Sequence, residues 1–379
     1  MLFSHISDTH LGLVQYGLEE RAQDVYDAFN QAIDISIKDH VNFVIFAGDI
    51  FHEPKPNGTA INQMANGLIR LKENSIDSFF ILGEHDISRI RATPIPYVYH
   101  NFGFSKYIGQ GNPIEYNGIL LTGFDKIRKA EMPQYEEKFA EIDKRAENYS
   151  GHKILVMHQG ITEFNKFAAE IQSTDLPKNF TYYAMGHLHD KDIKQFNHLN
   201  GPIAYPGSTE LISEGIKEAK KGFFEVDISG KEATPNWIQL STRPQFSFKT
   251  EYRELSKTID EISEKIVNST KKPIVEIKIQ GEKIETDHIQ TQIARLNSLV
   301  LKCSWGIITK QVSDSSIFLD RPNVIDDEMF RLSVDALGSE EAASFAIKEL
   351  LPVLVSGEIK EASQIVIEKF EKFKKEKKQ

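Results

Sequence analysis

Five short apolar runs in the first half of the chain each lead into a polar motif. The runs are Leu2-Phe3-Ser4-His5-Ile6, Phe43-Val44-Ile45-Phe46-Ala47, Phe79-Phe80-Ile81-Leu82, Ile154-Leu155-Val156-Met157 and Tyr182-Tyr183-Ala184-Met185. The motifs after them are Asp8-Thr9-His10, Gly48-Asp49, Gly83-Glu84-His85-Asp86, His158-Gln159-Gly160 and Gly186-His187-Leu188-His189. Short β-rich runs that end in glycine or a polar residue predict buried parallel strands. Between them, residues 19–38 place Val25, Phe29, Ala32, Ile33 and Ile37 at helical spacing, and residues 59–72 do so with Ile61, Met64, Ala65, Leu68, Ile69 and Leu71. Pro54 and Pro56 punctuate the approach to the second helix. Strand-like and helix-like segments alternate in this way to about residue 190. Strands then follow without helices, at 203–205, 222–228 and 237–240. The order predicts an α/β fold in which two sheets form a sandwich flanked by helices.

Ser241-Thr242-Arg243-Pro244 reads as a boundary. Beyond it the pattern predicts a strand (245–250), a helix (256–269), a strand (273–280), a helix (286–297) and a strand (299–309), which make a small α+β domain. A third piece begins near Arg321-Pro322, with helices over 326–355 and 358–375 interrupted by Pro352 and Gly357. The expected division is 1–242, 243–320 and 321–379. Residues 338–375 carry more apolar side chains than one helical pair buries against itself, which predicts a partner surface. Its expected anchors are Phe345, Leu350, Leu354, Ile365, Phe370 and Phe373.

Composition narrows the class. A chain of 379 residues is too long for one core. The single cysteine, Cys303, forbids an internal disulfide and favours a reducing compartment. No stretch is long and apolar enough to span a membrane, so a cytoplasmic protein is expected. The net charge of −10 argues against a globally basic nucleic-acid binder. Local patches are another matter. Lys126, Arg128 and Lys129 follow the strand-like 119–123, and Arg89 and Arg91 follow the third motif. A solvated loop is an equal reading for each.

The five motifs carry the chemistry. Ligands in open α/β sheets gather at the carboxyl ends of strands. Residues two apart on an extended segment point to the same side, so Asp8 with His10, and His187 with His189, can each present two groups to one place. Imidazole with carboxylate suits manganese, iron or zinc rather than calcium. Asp8, His10, Asp49, Glu84, His158, His187 and His189 are too many ligands for one ion and fit two sharing a bridging carboxylate. Two ions roughly 3.5–4 Å apart are the usual device for phosphate-ester hydrolysis, one activating water and both neutralising charge. His5, His40, His100, His152, His198 and His288 follow no such pattern and read as ordinary core or surface residues.

In this order the motifs resemble the calcineurin-like metallophosphoesterases over about residues 1–240. Gly48-Asp49-Ile50-Phe51-His52 and Tyr205-Pro206-Gly207-Ser208 are similar to the Mre11 nucleases and their bacterial SbcD relatives, and the length resembles the archaeal proteins. The resemblance implies that Asp8, His10 and His189 hold one metal and Glu84, His158 and His187 the other, with Asp49 bridging. It implies His85 as general acid or transition-state donor beside the scissile phosphate and His52 as a contact to phosphate or strand. It further implies two manganese ions (with magnesium, iron or zinc as alternatives), a 3′→5′ duplex exonuclease and endonuclease acting on double-strand ends and single strands, and a nucleoid-associated place. Residues 243–320 become a capping domain over DNA, and the C-terminal helices a dock for a Rad50-type ATPase. Helices near 59–72 and 93–99 pair across a two-fold axis in that family, with Met64, Leu68 and Leu71 as candidates for the seam of a homodimer; that they only cover their own sheet is a nearly equal reading.

One position departs from the family pattern. Glu84 stands where asparagine is usual. Both offer an oxygen, but the carboxylate holds a metal harder, dampens its Lewis acidity and disfavours an incoming phosphate. Two alternatives follow: a phosphoesterase acting on protein, nucleotide or lipid phosphate, and a DNA-binding scaffold weakened catalytically by Glu84.

Overall fold

The computed structural model describes residues 1–88, 92–166, 168–212, 219–281 and 284–308, and further on 333, 337, 339–350, 365–367 and 369. The chain divides into two compact units, Met1–Thr309 and Lys310–Gln379.

In the first unit, β1 (Leu2–Ile6), β2 (Phe43–Ala47), β3 (Asp77–Ile81) and β4 (Lys106–Tyr107) are parallel neighbours. The antiparallel strands β11 (Gly222–Asp227) and β12 (Thr234–Gln239) extend that sheet beyond β1. A second sheet has the order β5 (Ile114–Tyr116), β6 (Ile119–Phe124), β7 (His152–His158), β8 (Tyr182–Gly186), β10 (Ile203–Tyr205) and β9 (Asp192–Lys194), with β6, β7, β8 and β10 parallel. The strands alternate between two layers. Along β2, Phe43, Ile45 and Ala47 enter the core between the sheets, while Val44 and Phe46 face the helical layer. Both faces are buried, which is why these strands read as continuous apolar runs. Phe3 and Phe43 stack across neighbouring strands with centroids 4.8 Å apart.

Helices α1 (Glu19–Lys38) and α2 (Gly58–Glu73) cover the outer face of the first sheet. Asn57 caps α2, its Oδ1 accepting the Ala60 N–H at 2.9 Å, so the cap rather than the two prolines sets the helix start. Met64, Leu68 and Leu71 are completely buried against their own sheet with Phe29, Ile33 and Phe80. This corrects the expected seam, because these side chains have no surface left to offer a second copy. The helix expected near 93–99 is α3 (Tyr97–Asn101), and one helix was not anticipated, α4 (Glu136–Glu147), which packs Phe139, Ile142 and Ala146 on the second sheet.

A separate sheet follows residue 244. Strands β13 (Gln245–Glu251), β14 (Ile274–Gln280) and β15 (Lys302–Ile308) are all parallel, with α5 (Leu255–Ile266) and α6 (Thr286–Ala294) packed on them. A buried ionic knot joins it to α1. Asp24 accepts from Arg21 at 2.7 Å, Arg243 at 2.5 Å and Lys271 at 3.1 Å, and Arg243 also donates to the Lys272 carbonyl at 2.7 Å. Arg21 is fully buried and reaches on to Glu210 at 3.2 Å. Removing one partner of such a knot would strand a charge in the interior.

In the second unit, α7 (Glu340–Phe345) begins at Ser339, whose side chain caps it, and passes into a wider turn at Ala346–Leu350. Residues 365–367 are also helical. Of the expected anchors, Leu354, Phe370 and Phe373 lie outside the described residues. Among the described residues, no helix is long and apolar enough to cross a membrane.

Candidate metal centre

The carboxyl ends of five parallel strands converge on one place. β1, β2 and β3 bring Asp8 with His10, Asp49, and Glu84 with His85; β7 and β8 bring His158, and His187 with His189. All seven expected ligands and both further histidines fall into overlapping groups of donor atoms that could hold an ion. Asp8, His10 and His189 form one group; Glu84, His158 and His187 form another. Asp49 stands between them, with Oδ2 3.6 Å from His10 Nε2 and 3.3 Å from His158 Nε2. Glu84 spans the second group, Oε1 at 2.7 Å from His187 Nδ1 and Oε2 at 2.9 Å from His158 Nε2.

The backbone is bent to achieve this. Asp8 (φ 51°), His10 (φ 42°), Asp49 (φ 48°) and His187 (φ 94°) all have positive φ without being glycine. Such strain persists where surrounding structure enforces it, and here it clusters on candidate ligands. Asp86 supplies part of the enforcement. Its buried carboxylate accepts the N–H groups of Ile50 (3.2 Å), Phe51 (3.0 Å) and Gly83 (3.0 Å), tying the second motif to the third. Burial, and then the neighbouring Asp49, push its carboxyl up to about 7. Gly83 itself must lack a side chain, since a Cβ there would strike Asp49.

The donor set fits divalent cations. His158 donates from Nδ1 to the Ala47 carbonyl at 2.7 Å, which turns Nε2 toward Asp49 and Glu84. His10 Nε2, Glu84 Oε2 and His158 Nε2 are buried yet lack a hydrogen bond of proper geometry within the protein. Orphaned buried polar atoms are rare, and here Glu84 Oε2 and His158 Nε2 belong to one ligand group and His10 Nε2 to the other. The electrostatics agree. Burial opposes charge on the Asp49 carboxyl, but His158 beside it holds it down to about 2. Burial also works against a charged His158, and Asp49 and Glu84 outweigh it, keeping the imidazole above the ordinary histidine range. Burial dominates at His10, which is held well below that range. The carboxylates thus demand positive charge at the centre.

The centre opens on one side. Asp8, Asp49 and His158 are at most 1% exposed, whereas the Glu84 and His189 side chains are 36% and 34% exposed. His85 and His52 lie near that opening. Their rings stack with centroids 5.3 Å apart, and His85 donates from Nδ1 to the His52 carbonyl at 2.7 Å. His85 N–H also donates to Asp49 Oδ1 at 2.9 Å.

Of the expected basic patch, only Lys126 reaches the centre; Arg128 and Lys129 are exposed away from it, and Arg89 and Arg91 lie outside the described residues. Glu170, which pairs with Lys126, and Asp86 had no assigned role from sequence. Asp86 was visible inside the third motif. Glu170 carries no sequence signal at all. His5 is a core histidine between the sheets, bonded to Tyr182 Oη at 3.0 Å and the Met185 carbonyl at 3.1 Å. His40, His100, His152, His198 and His288 join no group of potential ligands among the described residues.

Comparison with known proteins agrees with this geometry. The calcineurin-like phosphoesterase family model matches residues 1–191. The DNA double-strand break repair protein Mre11 of Thermoplasma acidophilum is 32% identical over 360 residues, 91% of this chain and 92% of its own length. The Mre11 of Sulfurisphaera tokodaii is 32% identical and covers 84% of each chain. That of Methanocaldococcus jannaschii is 30% identical and covers 88% of each. With strand ends, donor geometry and relatives in agreement, the chain belongs to the Mre11 family of calcineurin-like phosphoesterases and is a metal-dependent phosphodiesterase of the nuclease class.

Proposed function

We propose that this chain is a manganese-dependent nuclease that processes DNA ends in double-strand-break repair, as a 3′→5′ duplex exonuclease and an endonuclease, together with a Rad50-type ATPase. The observation that carries the chemistry is Asp49, whose carboxylate lies within 3.6 Å of a histidine from each ligand group. In this reading Asp8, His10 and His189 would hold one ion and Glu84, His158 and His187 the other, with Asp49 placed to serve either. Two bound ions supply an activated water and neutralise charge on the phosphate. The DNA enters from the side where Glu84 and His189 are exposed. His85 is the general acid: its Nδ1–H is committed to the His52 carbonyl, which leaves Nε2 to deliver a proton to the leaving oxygen. His52, stacked on His85, holds that ring in place and meets the phosphate or the strand.

The repair role rests on the Mre11 relatives, which match most of the chain. Residues 1–242 serve as the nuclease domain, 243–320 as the capping domain over DNA, and 321–379 as the ATPase dock. The protein works as a homodimer in the cytoplasm, at the nucleoid. With Met64, Leu68 and Leu71 committed to the core, the outer face near Val98 and Phe102, which are 40% and 70% exposed, is left for a second copy.

The test is cleavage of end-labelled duplex DNA with manganese, beside para-nitrophenyl phosphate and cyclic nucleotides. Shortening from the 3′ end, with turnover of the small substrates at least 100-fold slower, is the expected result. Hydrolysis of the small phosphates alone would make this a phosphoesterase of another substrate class.

A further inference from the structure

Lys126 sits where nothing in the motifs requires it. It lies just beyond β6, and its N–H donates to the Leu82 carbonyl at 2.9 Å, which ties it to the end of the strand that carries Gly83 and Glu84. Its side chain is only 10% exposed. The ammonium is 2.5 Å from Glu170 Oε1, 3.4 Å from His187 Nε2 and 3.8 Å from Glu84 Oε2. Glu170 is fixed in turn, its Oε2 accepting the Gly160 N–H at 2.8 Å. Gly160 lies two residues after His158 in the fourth motif. Lys126 is therefore held from below by a carboxylate that is not a candidate ligand, and faces one that is. Among the described residues it is the only lysine or arginine within 4 Å of a candidate ligand's carboxylate.

Charge explains the arrangement. Asp8, Asp49 and Glu84 put three carboxylates around the centre, and Glu170 adds a fourth at its edge. A phosphodiester is an anion and must approach from the open side, where Glu84 is exposed. A carboxylate there repels it, and a largely buried ammonium at 3.8 Å offsets that repulsion in a medium where screening is weak. We propose that Lys126 is the counter-charge of Glu84: a specificity-determining residue that lets a glutamate serve at this ligand position while the centre still admits a phosphate anion. The proposal rests on the reading of Glu84 as a metal ligand.

It makes an unusual demand on mutants, because charges at fixed places act additively. Lys126→Met removes one positive charge and Glu84→Asn one negative. Each single change must shift anion and metal binding in opposite directions, and the double change must return the anion affinity toward the starting value. A role for Lys126 in packing alone predicts damage that Glu84→Asn does not repair.

The experiment is isothermal titration with manganese, and then with inorganic phosphate on the manganese-loaded protein, for the full chain and its Lys126→Met, Lys126→Arg, Glu84→Asn and Lys126→Met/Glu84→Asn variants. Lys126→Met is expected to weaken phosphate binding about tenfold and to tighten manganese binding. Lys126→Arg, which keeps the charge, should stay within about threefold on both, and the double variant should regain phosphate affinity to within about threefold. An unchanged phosphate affinity in Lys126→Met, weaker manganese binding in Lys126→Met, or a double variant no better than Lys126→Met overturns the proposal. A wild-type protein that takes up no manganese overturns the metal reading beneath it instead. Thermal unfolding of each variant separates loss of binding from loss of fold.

Discussion

His158 Nε2 lies 3.3 Å from Asp49 Oδ2, and the two residues come from different sheets. His158 ends β7 of the second sheet and Asp49 follows β2 of the first. The contact closes the sandwich at the edge where all five motifs meet. It is held from behind by the bond from His158 Nδ1 to the Ala47 carbonyl, so the ring bridges the sheets through both nitrogens. Asp49 is held equally firmly, its other oxygen accepting the His85 N–H. Orientation of a ligand by a bond on its far side is the usual way to tune a metal site.

Replacing His158 or His187 with alanine should remove one of two ions and abolish hydrolysis while the fold persists. Each sits at a strand end, on top of the hydrophobic layers rather than within them. Metal analysis and circular dichroism on both variants check this. Two ions still bound in both would reject the ligand assignment.

His85 should behave differently. It stacks on His52 at the mouth and bonds the His52 carbonyl, so it is placed to deliver a proton. His85→Asn should retain the metals and slow cleavage roughly 10²–10⁴-fold. Loss of metal in this variant would make His85 a ligand.

Glu84→Asn should lower manganese affinity, because a carboxylate lying 2.9 Å from His158 Nε2 and 2.7 Å from His187 Nδ1 gives way to a neutral amide. The weaker ligand leaves the metal a stronger Lewis acid, so the rate at saturating manganese should rise a few-fold at most. A dead variant at saturating manganese would show that Glu84 does something an amide cannot, such as accept a proton.

His5 gives a prediction about pH. Burial lowers its pKa from 6.5 to about 3, the bond to Met185 only partly opposing. As pH falls below 6.5 the unfolded chain protonates His5 while the folded chain does not until about 3. The unfolded state holds more protons in that window, so stability must fall with falling pH, by something on the order of a few kcal/mol. In His5→Gln this part of the slope should vanish, at some cost in stability at neutral pH. Denaturant unfolding at several pH values between 4 and 7 decides, and equal slopes for both proteins would contradict the burial argument.

Much of this was legible in the chain before any coordinates. The strands showed as apolar runs because both faces of each sheet are covered, and their ends showed because glycine, aspartate and histidine interrupt the runs so abruptly. Helix α1 was readable to the residue. Other features had no local signature. The stripe Met64, Leu68 and Leu71 announces a buried face, but periodicity does not say whether the burial is against the same chain or another. Helix α4 is mostly charged, and three apolar side chains suffice to seat it. Lys126 and Glu170 lie 44 positions apart in sequence and meet only when β6 and the loop after β7 are brought together. A single salt bridge between distant residues leaves no trace in composition or spacing.

The central claim is that Asp49 joins two metal sites. Anomalous diffraction from crystals grown with manganese tests it most directly. Two peaks roughly 3.5–4 Å apart are expected. One should lie among Asp8, His10 and His189, the other among Glu84, His158 and His187, with both in reach of Asp49. A single peak, or a second one that leaves Asp49 uncoordinated, would contradict the account.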